Sequence, residues 1–292
     1  MENSKYGTVC QIMSLAILIV DYNGHKLTNN LLNSINRLKL PSKYKLDIFI
    51  VDNGSNEKYN CPLKDKNIHI IRTEINQGFG KGANLGLENI LKKKFSKIML
   101  LNNDVELNKT LIIDNINLID RSEIVLFNTY CKNGELESSA FGHFNTLTSR
   151  GFKTPPSGKY DIAYFNFAAI VISSSILKLA GLFDSSNFYL YWEDVDLSLR
   201  LKKLQPRIEI GKSKIIHEAS STTKKFKYST QMRYTESQIL FFKKHKLSTL
   251  GIFTPILISI IRFFKYLFRL RFSDSFGVIV GLFAGIFSRL KE

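Results

Sequence analysis

Cysteine is scarce in this chain, with three in 292 residues. Cys10, Cys61 and Cys131 lie far apart, odd in number and outside any CxxC or Cys/His spacing. Such a pattern supports neither a disulfide framework nor a zinc site and fits a reducing, cytosolic setting. Long hydrophobic runs are missing too. The apolar residues 15–20 are too few to span a bilayer and lack a small-residue cleavage pattern, so they read as a buried strand rather than a signal peptide. No repeat of solenoid period is visible. Acids are the third shortage: 25 Asp and Glu against 41 Lys and Arg leave a formal net charge of +16.

That excess of positive charge implies a polyanionic partner, whether nucleic acid, anionic lipid or a phosphorylated substrate. Its location separates the three. From residue 243 onward Lys243, Lys244, Lys246, Arg262, Lys265, Arg269, Arg271, Arg289 and Lys291 alternate with Ile, Leu and Phe, and the acids there are Asp274 and Glu292. Basic residues set among large apolar ones favour an anionic membrane surface over a nucleic-acid groove. Residues 247–261 carry no charge, and Arg262, Lys265 and Arg269 then follow at helical spacing. The spacing predicts basic amphipathic, membrane-associating helices over 246–292; a helix pair completing the soluble core is the competing reading.

What is present is a chain of 44% hydrophobic content, enough for a sizeable core. Residues 15–20, 27–38 and 47–51 read as strand, helix and strand; further strands are predicted over 68–72 and 97–101, with a helix over 80–93 between them. Such alternation implies a mostly parallel sheet flanked by helices, with its ligand crevice outside the carboxyl ends of the strands. The polar turns 21–24, 52–55, 76–82 and 102–104 each follow a predicted strand and should converge on that rim. Residues 128–160 are polar and rich in turn formers, as suits a loop or short edge strands. An apolar strand is predicted over 165–173 and a short helix over 176–180.

The densest chemistry lies at Tyr191-Trp192-Glu193-Asp194-Val195-Asp196, where carboxylates crowd beside aromatics. Burying aromatics next to unpaired charge is costly unless a metal, a base or a proton compensates, so the cluster reads as a site. Asp196 and Arg200 form an i,i+4 pair of structural character.

The motifs Val20-Asp21-Tyr22-Asn23-Gly24, Val51-Asp52-Asn53-Gly54-Ser55, Asn76-Gln77-Gly78-Phe79-Gly80, Leu101-Asn102-Asn103-Asp104, Gly181-Leu182-Phe183-Asp184 and Tyr191-Trp192-Glu193-Asp194 occur in that order. Together they make residues 13–240 resemble a family 2 glycosyltransferase of the inverting GT-A type, in its rhamnosyltransferase-like and galactofuranosyltransferase-like branch. The resemblance implies a GT-A (Rossmann-like) domain over 1–245, with a nucleotide-sugar-binding half at 13–105 and an acceptor and catalytic half at 106–245. It implies Asp194 as general base and Glu193 orienting substrate hydroxyls. Donor contacts would come from Asp21, Asn23, Asp52, Asn76, Gly78, Gly80, Asn84, Asn102, Asn103 and Trp192. It places a divalent cation, Mn2+ or Mg2+, on Asp104 and His217, with Asn102 standing where the family's metal motif has an acid. Taken singly, Asp52 is also a turn-forming residue, Asp104 a helix cap, His217 a structural histidine and Trp192 a core aromatic.

The implied partners are a UDP- or dTDP-sugar and a glycan or lipid-linked glycan acceptor, at the inner face of a bacterial cell membrane in surface polysaccharide synthesis. Nucleic acid is not expected. Two rival readings remain. A nucleotide-dependent oxidoreductase would use the glycines of 78–83, but that fold wants its glycine-rich turn directly after the first strand, where this chain has Asp21-Tyr22-Asn23-Gly24. A noncatalytic nucleotide-sugar-binding protein would have no need of Asp194.

Overall fold

The computed structural model describes residues 13–42, 44–65, 67–146, 150–152, 162–217, 227–246 and 251–291. Residues 218–226, next to His217, and 147–149 and 153–161, which include the prolines of the polar stretch, lie outside them, as does Cys10. The chain opens with β1 (Met13–Asp21), α1 (His25–Ile35), β2 (Tyr44–Asn53), β3 (Ile68–Thr73), α2 (Phe79–Lys92) and β4 (Lys97–Asn102). It continues through β5 (Val105–Glu106), α3 (Leu111–Arg121), β6 (Ile124–Leu126), β7 (Thr129–Tyr130), β8 (Leu136–Ser138), β9 (Phe141–Asn145), β10 (Arg150–Phe152), β11 (Ile162–Phe165) and β12 (Ala169–Ser173). It closes with α4 (Ser174–Ala180), α5 (Glu193–Lys203), β13 (Ile208–Ile210), β14 (Ile215–His217), α6 (Lys227–His245), α7 (Phe253–Phe268) and α8 (Phe272–Phe287).

Seven strands form the main sheet in the order β13-β6-β12-β4-β1-β2-β3. β3, β2, β1 and β4 run parallel, and β12 is antiparallel to both β4 and β6. The continuous apolar run of β1 follows from burial on both faces. Leu15, Ile17 and Ile19 pack with Leu31, Leu32 and Ile35 of α1, while Ala16 and Leu18 pack with Ala83, Leu87 and Ile90 of α2. The predicted strand over 165–173 is broken in two, because Asn166 turns its side chain onto the backbone of Ala168 and the chain changes sheets there.

Register decides what the strand ends present. Asp21 pairs with Asp52 across β1 and β2, and Val20 pairs with Asn102 across β1 and β4. The polar turns after these strands are thereby gathered at one rim, as the alternating pattern implied.

The C-terminal helices differ from expectation in which residues they bury. α8 lies along α6 with Gly277, Gly281 and Gly285 inward, and a β-carbon at Gly281 would meet the Met232 carbonyl oxygen at 2.2 Å. α7 buries Thr254, Pro255 and Ser259. The large apolar side chains face out: Phe253, Leu257, Phe264 and Phe268 on α7, and Phe272, Phe276, Phe283 and Phe287 on α8. Of the basic stripe, Arg262 turns inward onto Tyr234 while Lys265 and Arg269 stay exposed. Among the described residues no helix is long and apolar enough to cross a membrane. Because backbone cannot yield as a side-chain tip can, Gly281→Ala is expected to lower stability by about 1–3 kcal/mol. Urea denaturation would measure the loss, and a stabilised variant would refute the close packing.

Candidate active site

The glycine-rich turn is built by side-chain amides. Asn53 donates to the Gly78 carbonyl at 2.9 Å and to Asn76 Oδ1 at 3.2 Å, and accepts from the Gln77 amide at 3.2 Å. Asn76 Oδ1 also accepts the Gly78 amide at 2.9 Å. Gly78 has φ +83, and a β-carbon there would lie 2.1 Å from the Tyr189 carbonyl oxygen, so only glycine fits. Beside this turn a cavity of about 420 Å³ is lined by Tyr22, Asn76, Gly78, Asn103, Tyr189 and Arg233, among others. Arg233 comes from α6 and stacks on the Tyr189 ring at 4.5 Å. It is a cleft residue that the sequence motifs did not indicate.

Asp21 and Asp52 sit at the strand ends, wholly buried. Asp21 accepts from Thr28 Oγ1 at 2.7 Å and from Asn103 Nδ2 at 2.9 Å. Burial raises its pKa above the usual carboxylate range in spite of those bonds. Asp52 accepts from the Ser55 and Tyr59 amides at 3.1 and 2.9 Å and pairs with Arg72. Against the cost of burial, these donors hold its pKa low. Asn23, in the left-handed region at φ 51, accepts the Asn56 amide at 2.9 Å and ties the first turn to the second.

Two expected donor contacts have other employment. Gly80 is buried in α2, where a β-carbon would meet Phe183 at 3.3 Å and Glu193 at 3.8 Å, so its role is close helix packing. Asn84 spends both ends of its amide on Phe183, accepting from its N–H at 2.9 Å and donating to its carbonyl at 2.8 Å. It holds the Gly181–Asp184 segment, not the turn before it. Asn102 closes β4, its amide donating to the Ala168 carbonyl at 2.9 Å.

Asp104 and His217 are brought together from opposite ends of the chain. β14 pairs antiparallel with β5, placing His217 beside Val105, and its Nε2 lies 3.2 Å from Asp104 Oδ1. Glu137, another residue without a sequence signal, meets the imidazole Nδ1 at 3.2 Å and is itself held by Thr129 Oγ1 at 2.8 Å. Burial alone would pull the imidazole down, but the two carboxylates outweigh it and push His217 up to about 9. The two carboxylates favour a positive charge between them, a proton on the imidazole or a cation that displaces it.

The donors fit a divalent ion. Ligand atoms about 2.1 Å from an octahedral ion stand about 3 Å apart when adjacent, as Asp104 and His217 do, and oxygen with imidazole suits Mn2+. Asp104, together with Asn103, also borders a second cavity of about 270 Å³. A second group, Asp21, His25 and Asp52, has ligand atoms within 4.8 Å of one another. There Arg72 already neutralises Asp52, which leaves less negative charge for a cation.

The acidic cluster opens α5. Tyr191 and Trp192 precede it with φ 68 and 67, two non-glycine residues in a row in the left-handed region. Strain of this kind persists only where the surroundings enforce it. Ser237 Oγ of α6 donates to the Leu190 carbonyl at 2.9 Å, and the Trp192 ring packs on Phe241 at 4.9 Å. Trp192, expected to face a sugar, therefore lies in an aromatic core with Phe144, Phe241 and Phe242.

Glu193 is also internal, 5% exposed, with Oε2 lacking a hydrogen-bond partner. Burial, and then the charge of Asp194, push its carboxyl up to about 8. It is not placed to orient substrate hydroxyls. Asp194 remains partly exposed and accepts the Val195 amide at 2.8 Å. Burial pushes it up to about 6 against that bond. Of the two, Glu193 is the more deeply buried and is pushed higher, so Asp194, at the positive end of a helix, is the carboxyl that ionises more readily.

Asp196 has the structural part expected of it, accepting from Arg200 Nε at 2.9 Å and His245 Nε2 at 2.8 Å, with Lys244 at 2.7 Å. The His245 hydrogen bond and the charges of Arg200 and Lys244 hold it at about 2 in spite of burial.

An α/β sheet with amides, carboxylates and a cleft at its carboxyl rim, and an ionised aspartate at a helix start, has the GT-A architecture. The chain belongs to glycosyl transferase family 2, whose model matches residues 16–178. It is 23% identical over 265 residues to the low-salt glycan biosynthesis hexosyltransferase Agl10 of Haloferax volcanii, covering 83% of each chain. Among solved structures it is similar to residues 1–349 of S. aureus TarS, with TM-score 0.52, 15% identity and 93% and 91% of the two chains covered. The mannosyltransferase PcManGT of Pyrobaculum calidifontis, solved with GDP-Man and Mn2+, matches with TM-score 0.53 and 10% identity over 94% and 87% of the chains. GalNAc-T7, solved with UDP, GalNAc and Mn2+, matches with TM-score 0.57 and 15% identity, over 82% of this chain and 52% of that one.

Proposed function

We propose that this glycosyltransferase moves a hexosyl group, with inversion, from a nucleoside diphosphate sugar to a glycan acceptor carried on a lipid, at the cytoplasmic face of a membrane. The observation that carries the reading is the placement of Asp194: partly exposed in the first turn of α5 and four residues beyond Leu190, which lines the larger cavity. In a single displacement the acceptor oxygen bonds to the anomeric carbon, the bond from that carbon to the diphosphate oxygen breaks, and Asp194 takes the hydroxyl proton.

Asn76 and Asn103 line the cavity that would receive the nucleotide, with Asp52 buried at the adjoining strand end, and Arg233 gives a cation for the diphosphate. The split into 13–105 for the donor and 106–245 for the acceptor is softened by α6, whose Ser229, Thr230 and Arg233 also line that cavity. A divalent cation at Asp104 and His217 would supply positive charge to the departing diphosphate. UDP- and dTDP-linked rhamnose, galactofuranose and galactose are the donors to try first, in surface polysaccharide synthesis. The test is nucleotide release from a panel of such donors with glycan acceptors, with and without Mn2+. Absence of turnover across the panel, with donor binding retained, would leave a binding protein instead.

The outward phenylalanines of α7 and α8, with Lys265, Arg269 and Arg271 among them, support peripheral attachment of 246–292 to an anionic membrane. α8 is packed on α6, so deletion of the segment would also strip the catalytic half. Paired Phe264→Asp and Phe268→Asp changes test attachment without that damage. They are expected to reduce flotation with phosphatidylglycerol vesicles by roughly tenfold or more, each removing an aromatic side chain worth a few kcal/mol when buried. Unchanged flotation would reject the attachment.

A further inference from the structure

Arg262 is out of place for a residue of a membrane-facing basic stripe. It turns inward from α7 and lies over the Tyr234 ring at 4.9 Å. Nη2 donates to Gln238 Oε1 at 2.9 Å and to Ser259 Oγ at 3.3 Å. Nε is buried with no acceptor. The groups around it, Gln238, Ser259, Tyr234 and Tyr266, are all neutral, and among the described residues no carboxylate pairs with it. Every other inward-turned cation of this region has an anion or carbonyl: Lys244 has Asp184 and Asp196, and Lys243 has the carbonyls of Ile286 and Ser288.

Arg262 is partly buried, and drawing a guanidinium even partly out of water without a counter-charge costs free energy. Burial pulls its proton affinity down accordingly. An anion from outside would supply the missing counter-charge, and the planar fork of arginine matches a phosphate.

Two features say what bears that phosphate. Phe264 and Phe268 stand exposed on the same helix, giving an apolar track for a hydrocarbon chain. On the other side the Tyr234 ring packs against Tyr191 and Trp192, at 5.7 and 6.0 Å, the two residues that lead into Glu193 and Asp194. We propose that Arg262 receives the phosphate joining lipid to glycan in the acceptor, so that the chain lies along α7 and the glycan reaches toward Asp194. This rests on the transferase and membrane readings above, and assigns to Arg262 the phosphate of the lipid-carried acceptor that they name.

The experiment uses the full chain and flotation with phosphatidylcholine vesicles, plain or doped with a long-chain prenyl phosphate or with phosphatidylserine. Wild-type protein is expected to gain affinity from prenyl phosphate beyond that from phosphatidylserine. Arg262→Gln is expected to lose that gain, on the order of tenfold, and to keep its binding to phosphatidylserine vesicles. Arg262→Lys, which keeps charge without the fork, should retain part of it, and reports on the site if the Gln variant folds poorly.

The inference is overturned if Arg262→Gln keeps the prenyl-phosphate gain, or if it binds all vesicles equally less well. A gain reproduced by inorganic phosphate in solution overturns the lipid assignment. Wild-type binding to anionic vesicles with no extra gain from prenyl phosphate sinks the inference and leaves membrane attachment standing. Binding to no vesicle removes both.

Discussion

Asp194→Asn is expected to lower kcat by about 10²–10⁴-fold, the usual contribution of a positioned general base. The amide keeps the shape and can still accept the Val195 N–H, so folding and donor binding should persist. Thermal shift with donor tests this separately from turnover. The sign of the pH dependence follows from burial, which raises Asp194 to about 6. A base must be unprotonated to act, so kcat/KM should be flat near pH 7 and fall as pH drops through about 6. The variant should lose that limb along with the rate. Glu193, raised to about 8, is already protonated at pH 7 and would not supply the same limb. Full activity of Asp194→Asn would remove the catalytic assignment.

His217→Ala should weaken Mn2+ binding by at least about 100-fold, and Glu137→Gln by about 10–100-fold, the range found for groups that orient a metal-ligating histidine. The gradation is the informative part. His217 loses a donor atom outright, whereas Glu137 acts through Nδ1, fixing which imidazole nitrogen carries its proton and so which faces Asp104. Calorimetric titration of Mn2+ reads both, independent of turnover. If His217→Ala binds Mn2+ normally while Asp21→Asn does not, the ion belongs to the Asp21, His25 and Asp52 group instead.

Much of the architecture was legible in the chain because its signals are local. The strand–helix alternation from residue 13 to 102, the parallel sheet and the gathering of polar turns at its rim follow from hydrophobic period and short connections. The acidic cluster holding Asp194 stood out through composition and the Asp196–Arg200 pair through i,i+4 spacing, while Asp194 itself was marked by the resemblance to family 2 glycosyltransferases. Gly80, Asn84, Trp192 and Glu193 were equally visible as motif residues, yet what surrounds each of them is set by neighbours far away in sequence. Phe183 occupies Asn84, and α6 covers Trp192. Glu137 and Arg233 carried no signal, since nothing nearby in sequence announces that β8 and α6 fold back to the rim.

By itself, the sequence determined the fold class, the rim and the excess of positive charge, all additive consequences of which residues lie next to one another. Tertiary structure alone decided which carboxylate stays in reach of solvent and which is sealed as an acid, that His217 meets Asp104, and that Arg262 faces inward. Those properties depend on desolvation and on distances between segments, and such distances exist only once the chain is packed.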